Sequence, residues 1–240
     1  MVWLEENGVW LSVVIVTVAV VAIFVASLIQ KKKFGSRVST TKELTMGAVC
    51  LATSFALSFF GYEFPQGGTI TPAAVLPIML YCHYSGIGKS VIICVAYSLL
   101  QFMQSPYILT PFQVILDYFI PYLSLILVAV VPFSKKKHSA LLSEGKKTFS
   151  AHWGFFVGAI LYIVVRYTSH VLSGAIFFAE YAWEGWGAWP YSMVYNLFAV
   201  LDASIAIGAG SALFSNETFN SFMAKSFNAK KNADACAEND

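Results

Sequence analysis

Apolar residues fall along this chain in long runs parted by short polar stretches, and the lengths of the runs predict the elements. A hydrocarbon layer about 30 Å thick needs about 20 apolar residues per helix. Runs that meet or approach this length predict helices at 9–30, 43–61, 72–84, 87–104, 111–133, 150–178 and 190–214. The third is too short to cross upright at about 1.5 Å per residue, so it is expected to lie tilted or tucked against its neighbours. The pattern is that of an all-α integral membrane protein with seven candidate spans. Between the second and third runs, FPQGGTITP at 64–72 places adjacent glycines between prolines and predicts a short structured lid, not a continuing helix.

Composition agrees. The 240 residues are 58% hydrophobic, 16% aromatic and 12% charged, against about a quarter charged in a soluble globular chain. Charge then gives orientation. Lys31, Lys32, Lys33, Arg37 and Lys42 follow the first run, Lys135, Lys136, Lys137, Lys146 and Lys147 the fifth, and Lys225, Lys230 and Lys231 the last. Placing these clusters and Lys89 in the cytoplasm leaves Glu5, Glu6, Glu63, Glu180 and Glu184 outside, without a Lys or Arg among them. The expected arrangement is an external amino terminus and a cytoplasmic carboxyl terminus. The first run has an acidic leading segment and no small-residue cleavage site, so a retained helix is expected in place of a signal peptide. Three divisions follow: an extra amino-terminal membrane helix and basic linker (1–41), a six-helix membrane domain (42–216) and a polar cytoplasmic tail (217–240), expected to be disordered after Phe219. Cys50, Cys82, Cys94 and Cys236 have neither ligand spacing nor obvious pairing, so no metal site or disulfide is predicted. No cofactor or nucleic-acid partner is implied. The absence of a GxxxxGKS/T loop argues against ATP hydrolysis by this chain, and the absence of HExxH and GxSxG spacing argues against an intramembrane enzyme.

Polar groups within the apolar runs are the candidate chemistry, because ionisable side chains at membrane depth are costly and mark solute sites. Arg166, His170 and Gly174 recur every four residues and share one helix face, which Phe177, Phe178 and Tyr181 continue outward. This face reads as a cavity wall, with Gly174 opening space beside His170. Asp117, in QVILDYFIPYLSL, needs a partner or a proton; it reads as a ligand contact or as the partner of Arg166. Asp202 competes for Arg166 and reads as structural or gating. YAWEGWGAWPY is an interfacial aromatic cluster leading to Tyr191 and Asn196, which lie about 140° apart on a regular helix, so only one points straight into a cavity. Ala48, Ala52 and Ala56 form a small-residue stripe suited to internal packing or to a partner subunit.

Three segments, PQGGTIT at 65–71, YILTPFQVILDY at 107–118 and RYTSHVLSGAIFFAEYAWEGWGAWPYSMVYN at 166–196, carry a family resemblance. Over residues 42–214 the chain resembles the thiamine-binding S components of energy-coupling factor transporters. The resemblance implies a six-helix S-component bundle, here with one extra amino-terminal transmembrane helix. It also implies a vitamin site near the outer face and no enzymatic activity. Asp117 stands where that family has a Glu that engages thiamine. His170, Tyr191 and Asn196 match ligand contacts, Tyr107 and Tyr118 match aromatic positions near the site, and Arg166 falls where a basic residue is common. Phe178 replaces a stacking Trp, and Gly68 or its neighbour replaces an aromatic lid residue. The implied partners are a membrane coupling subunit and two ATP-binding subunits in the cell membrane, with Ala48, Ala52 and Ala56 on the docking helix. Another vitamin, a thiamine precursor or a self-sufficient carrier remain the alternatives.

Overall fold

The computed structural model of the protein describes residues 41–104, 106–131 and 152–227. The expected helix at 9–30, most of the basic clusters and the chain beyond 227 lie outside these residues.

Helix α1 (Thr41–Ser58) leads into a two-stranded antiparallel ribbon, β1 (Tyr62–Glu63) and β2 (Thr69–Ile70), closed by a single 3₁₀ turn at Pro65–Gly67. Then come α2 (Leu76–Ser85), α3 (Ile87–Gln104), α4 (Pro111–Ala129), α5 (Trp153–Phe177), α6 (Ala188–Tyr195), α7 (Leu197–Phe214) and α8 (Glu217–Ser226). The protein is an all-helical membrane protein. Among the described residues, α3, α4, α5 and the α6–α7 pair are long and apolar enough to span a bilayer. Their outward faces carry exposed apolar side chains, such as Ile92 and Leu99 on α3, Ile160 and Val164 on α5, and Leu201 and Ile205 on α7. That is the surface a lipid solvent requires.

The short third run is tucked, as its length demands. Ile78, Met79, Tyr81, Cys82 and His83 of α2 are all nearly inaccessible, enclosed by α1, α3, α4, α5 and α7. Gly86, at φ 81°, ends α2 in a conformation that only glycine adopts without strain, and α3 starts at the next residue. Buried polar groups around α2 pair with one another: His83 Nε2 lies 3.1 Å from His152 Nδ1, and the thiols of Cys82 and Cys94 lie 3.7 Å apart.

Helix α4 is irregular for a sequence reason. Pro121 has no N–H to give the Asp117 carbonyl, and its ring would collide with that carbonyl in a regular helix. The backbone answers with a π turn at Ile115–Phe119, where the Ile120 N–H reaches the Ile115 carbonyl. Beyond Leu123 the helix tightens to 3₁₀ over Ser124–Ala129. There α5 crosses it at backbone contact: a Cβ on Gly158 would lie 2.5 Å from the Val128 Cα and 2.6 Å from the Leu127 carbonyl oxygen. Small residues permit such close crossings in membranes.

One expectation is corrected. The segment from 217 is not a featureless tail: Glu217–Ser226 forms α8, capped by the Asn216 side chain accepting from the Phe219 N–H. Asn220, Met223 and Phe227 are buried, and the Phe227 ring stacks on Tyr84 with centroids 5.7 Å apart. Apolar residues at 219, 223 and 227 recur every four positions, which gives a mostly polar segment one face to bury.

Candidate functional site

A cavity of about 270 Å³ opens between the ribbon, the ends of α1 and α3, and the facing halves of α4, α5, α6 and α7. This is just below the roughly 300–1,000 Å³ range of small-molecule sites. Ten of the residues singled out from the sequence line it: Gly68, Tyr107, Asp117, Tyr118, Arg166, His170, Gly174, Phe178, Tyr191 and Asn196.

The π turn aims Asp117 into this space. Its Oδ2 accepts hydrogen bonds from Gln113 Nε2 and Ser173 Oγ, both at 2.7 Å, and its Oδ1 lies 3.3 Å from His170 Nδ1. Gln113 sits one helical turn before Asp117, so this support is local to α4, whereas Ser173 and His170 come from α5. The His170 Nδ1 is thereby engaged. Its Nε2 is buried and has no hydrogen-bond partner. In a cavity wall such an atom offers a ligand a donor or an acceptor.

Arg166 does not pair with Asp117. Its guanidinium donates to Asp202 Oδ2 at 2.7 Å and to the Tyr162 hydroxyl at 2.8 Å, with side-chain exposures of 3% for Arg166 and 0% for Asp202. The pair satisfies two charges that would otherwise be costly at this depth. Asp117 is left free of any cationic Lys or Arg partner among the described residues.

Aromatic rings form the rest of the wall. The Tyr107 ring lies 5.6 Å from Phe178, its N–H donates to the Tyr118 hydroxyl at 2.9 Å, and its own hydroxyl is 3.3 Å from that of Tyr181. The hydrogen bond shared with Tyr107 pushes the Tyr181 phenol up to about 12. Trp183 packs edge-on against both Trp186 and Tyr191, each at 5.1 Å, and so backs the wall without lining it.

Three geometric expectations change. Tyr191 and Asn196 both line the cavity, because the helix breaks at Asn196 (φ −79°, ψ 6°) and the two residues do not share a regular phase. Phe177 turns away from the cavity into a small cluster with Leu116, Ile120 and Leu172, since α5 ends there. Gly174 lines the cavity, yet the space beside it is largely filled: an added Cβ would lie 2.2 Å from Ser192 Oγ and 3.1 Å from Asn196 Nδ2. Its smallness serves close helix approach. Asn196 Nδ2 in turn donates to the His170 carbonyl at 3.2 Å and to the Ser192 carbonyl at 2.9 Å.

Sequence reasoning missed Gln113, Ser173, Ser192, Tyr195 and Phe198. The Tyr195 hydroxyl donates to the Pro65 carbonyl and accepts from the Gly68 N–H at 3.3 Å, while Phe198 stacks on Phe64 at 6.1 Å. Gly68 has no room for a side chain, since its Cβ would meet Phe198 at 2.8 Å. Gln113 and Ser173 were within reach of sequence reasoning, four residues before Asp117 and one before Gly174. Ala48, Ala52 and Ala56 lie away from the cavity, exposed on the outer face of α1 opposite the buried Gly47, Cys50 and Ser54.

An aromatic cavity under a ribbon, with Asp117 in its wall and Glu63 on its ribbon side, set in membrane-length helices, is that of a membrane protein with room for a small polar solute. Residues 44–220 match the family described as thiamine transporter protein (Thia_YuaJ). The chain belongs to that family, and it is a transport protein, not an enzyme. It is 29% identical to the thiamine transporter ThiT of Bacillus subtilis (strain 168) over 133 residues, covering 55% of this chain and 67% of that one. The fold matches the solved structure of ThiT from Listeria monocytogenes with a TM-score of 0.60 at 26% identity, covering 77% of this chain and 96% of that one. The likeness to S components read from the three sequence segments is borne out.

Proposed function

We propose that the cavity holds thiamine, and that this chain is the substrate-binding subunit of an energy-coupling factor importer. The observation that carries the reading is Asp117: a partly buried carboxylate, held by Gln113, Ser173 and His170 and facing aromatic rings. Thiamine is a permanent cation joined to a flat aminopyrimidine. A carboxylate and aromatic faces suit the cation, and the free His170 Nε2, with Asn196 and Tyr191, suits the hydrogen-bonding ring. Asp117 is one methylene shorter than the family's Glu, and its three protein partners fix the direction in which it presents its charge. Arg166 lines the cavity but is neutralised by Asp202, so it does not repel a cation.

Delivery to the cytoplasm falls to partners: a membrane coupling subunit and two ATP-binding subunits. Support comes from α1, where Ala48, Ala52 and Ala56 present an exposed small-residue face to which another helix can come close. The amino terminus is outside and the carboxyl terminus cytoplasmic, with the cavity opening outward. Trp substitutions at Ala48 and Ala52 are expected to abolish co-purification with the coupling module while leaving thiamine binding intact; retained co-purification would remove α1 from the docking surface.

Binding is tested by quenching of intrinsic Trp fluorescence in detergent-solubilised protein. Saturable quenching by thiamine is expected, weakened in Asp117→Asn by roughly 10- to 100-fold, the size of a charge-assisted hydrogen bond worth about 1.5–3 kcal/mol. Folded protein that shows no quenching by thiamine but binds another heterocycle would reassign the ligand.

A further inference from the structure

Asp202 is fully buried and stands behind the cavity wall, in contact with two residues that do line it. Its Oδ2 accepts from Arg166, and its Oδ1 accepts from both the N–H and the hydroxyl of Thr71, at 2.9 Å and 3.2 Å. Thr71 directly follows β2 of the ribbon, and Gly67, Gly68, Thr69 and Thr71 form the cavity wall on that side. The ribbon is therefore joined to a buried ion pair through a single carboxylate.

We infer that Asp202 is a latch residue, which positions the ribbon as a lid over the bound solute by tying Thr71 to the charge of Arg166. This rests on the reading of the cavity as the thiamine site. The lid has further holding points. Phe198 and Asp202 share a stripe of α7, four residues apart, and Tyr195 stands just before the break at Asn196; they hold the lid at Phe64, at its exit and at its turn. Of the three, only Asp202 draws on a charge. A hydrogen bond to a carboxylate that is itself fixed by a guanidinium is stronger than a neutral one. Backbone strand ends of two residues cannot hold a ribbon alone, so the stripe sets where the lid rests. The Arg166 Nε has no hydrogen-bond partner, which leaves Asp202 and Tyr162 as the anchors of that guanidinium among the described residues. The same carboxylate thus keeps an uncompensated cation out of the wall of a cation site.

The latch is tested in the full chain, solubilised in detergent, by hydrogen exchange of amides 62–71 without ligand and by the dissociation rate of labelled thiamine chased with unlabelled. Asp202→Ala is expected to raise exchange at Thr71 and to speed dissociation by roughly tenfold or more, the scale of a lost hydrogen bond to a charged group, with association slowed as well because Arg166 is left uncompensated in the wall. Because a lone buried Arg166 can destabilise the fold, the decisive variant is Arg166→Met with Asp202→Leu, an apolar replacement of the kind that buried pairs tolerate. That double variant is expected to melt with the wild type yet show a loosened lid and fast dissociation. Wild-type lid exchange in a stable double variant overturns the latch. If thiamine fails to bind the wild type while lid exchange still rises in both variants, the ligand assignment falls and the latch stands.

Discussion

Gly174 is the point at which the site depends most directly on helix packing. A methyl group there would sit 2.2 Å from Ser192 Oγ and 3.1 Å from both Ser192 Cβ and Asn196 Nδ2. Ser192 is fully buried, and its hydroxyl donates to the Val171 carbonyl at 2.8 Å while accepting from Asn196 at 3.1 Å. In Gly174→Ala the hydroxyl must rotate away and the α6–α7 junction must move. Overpacking of this kind costs about 1–3 kcal/mol and the lost hydrogen bond about 0.5–1.5 kcal/mol, while alanine returns about 1 kcal/mol of helix propensity. The net is about 2 kcal/mol, or about 4–8 °C in melting temperature for a chain of this size. Binding falls too, because Tyr191 and Asn196 flank the displaced serine on the cavity wall. Thermal unfolding in detergent and a thiamine titration read the two effects. Gly208→Ala is the control: its Cβ meets nothing within 4 Å, so melting should hold or rise. Adding Ser192→Ala to Gly174→Ala should recover the part of the loss due to the 2.2 Å hydroxyl clash, while the 3.1 Å approach to the Cβ of residue 192 and the lost hydrogen bond remain. A Gly174→Ala protein that melts and binds like wild type would refute close packing as the reason for glycine.

Gly158→Ala should be harsher, at about 3 kcal/mol or more, because its Cβ meets backbone of Val128 and Leu127, which no rotamer change relieves; unfolding at a lower temperature with no rescue by neighbouring side chains checks this. Pro121→Ala supplies the N–H that the Asp117 carbonyl lacks and permits a regular helix through the π turn. Thiamine affinity is expected to drop about tenfold as Asp117 leaves its bonds to Ser173 and His170, the scale of one charge-assisted bond; equal affinity would mean that those bonds, and not the proline, hold the π turn.

Charge and glycine made the site legible. Asp117, Arg166 and His170 stand out in apolar sequence because few groups are so costly there, and Gly174 and Gly68 mark places where side chains have no room. Gln113, Ser173, Ser192 and Tyr195 did not stand out, since uncharged polar residues are common at helix contacts in membranes. The partner of Arg166 was illegible for a geometric reason. Choosing between Asp117 and Asp202 requires the phase and depth of two helices, and one contains a π turn while the other breaks at Asn196. The same break voided the regular-helix argument that Tyr191 and Asn196 diverge. In α8 the signal was present, at Phe219, Met223 and Phe227, but a polar average hid one apolar face.

Four departures from regular helix share a location. The π turn of α4 bears Asp117, the end of α5 bears Phe178, the break at Asn196 joins α6 to α7, and the ribbon interrupts the passage from α1 to α2. Each of these lines the cavity, whereas the outward faces of α3, α5 and α7 carry exposed Ile, Leu and Val. Hydrocarbon explains the division. A backbone group without an intrahelical partner costs several kcal/mol against lipid and is tolerated only where protein or a polar cavity receives it. Irregular backbone is thereby kept from the lipid: the 3₁₀ stretch at Ser124–Ala129 packs under α5, and the other departures point side chains from four helices and a lid toward one small volume. In this family member the prolines, the glycines and Asn196 thus do more to place the site than the residues that line it, because they decide where the helices stop being regular.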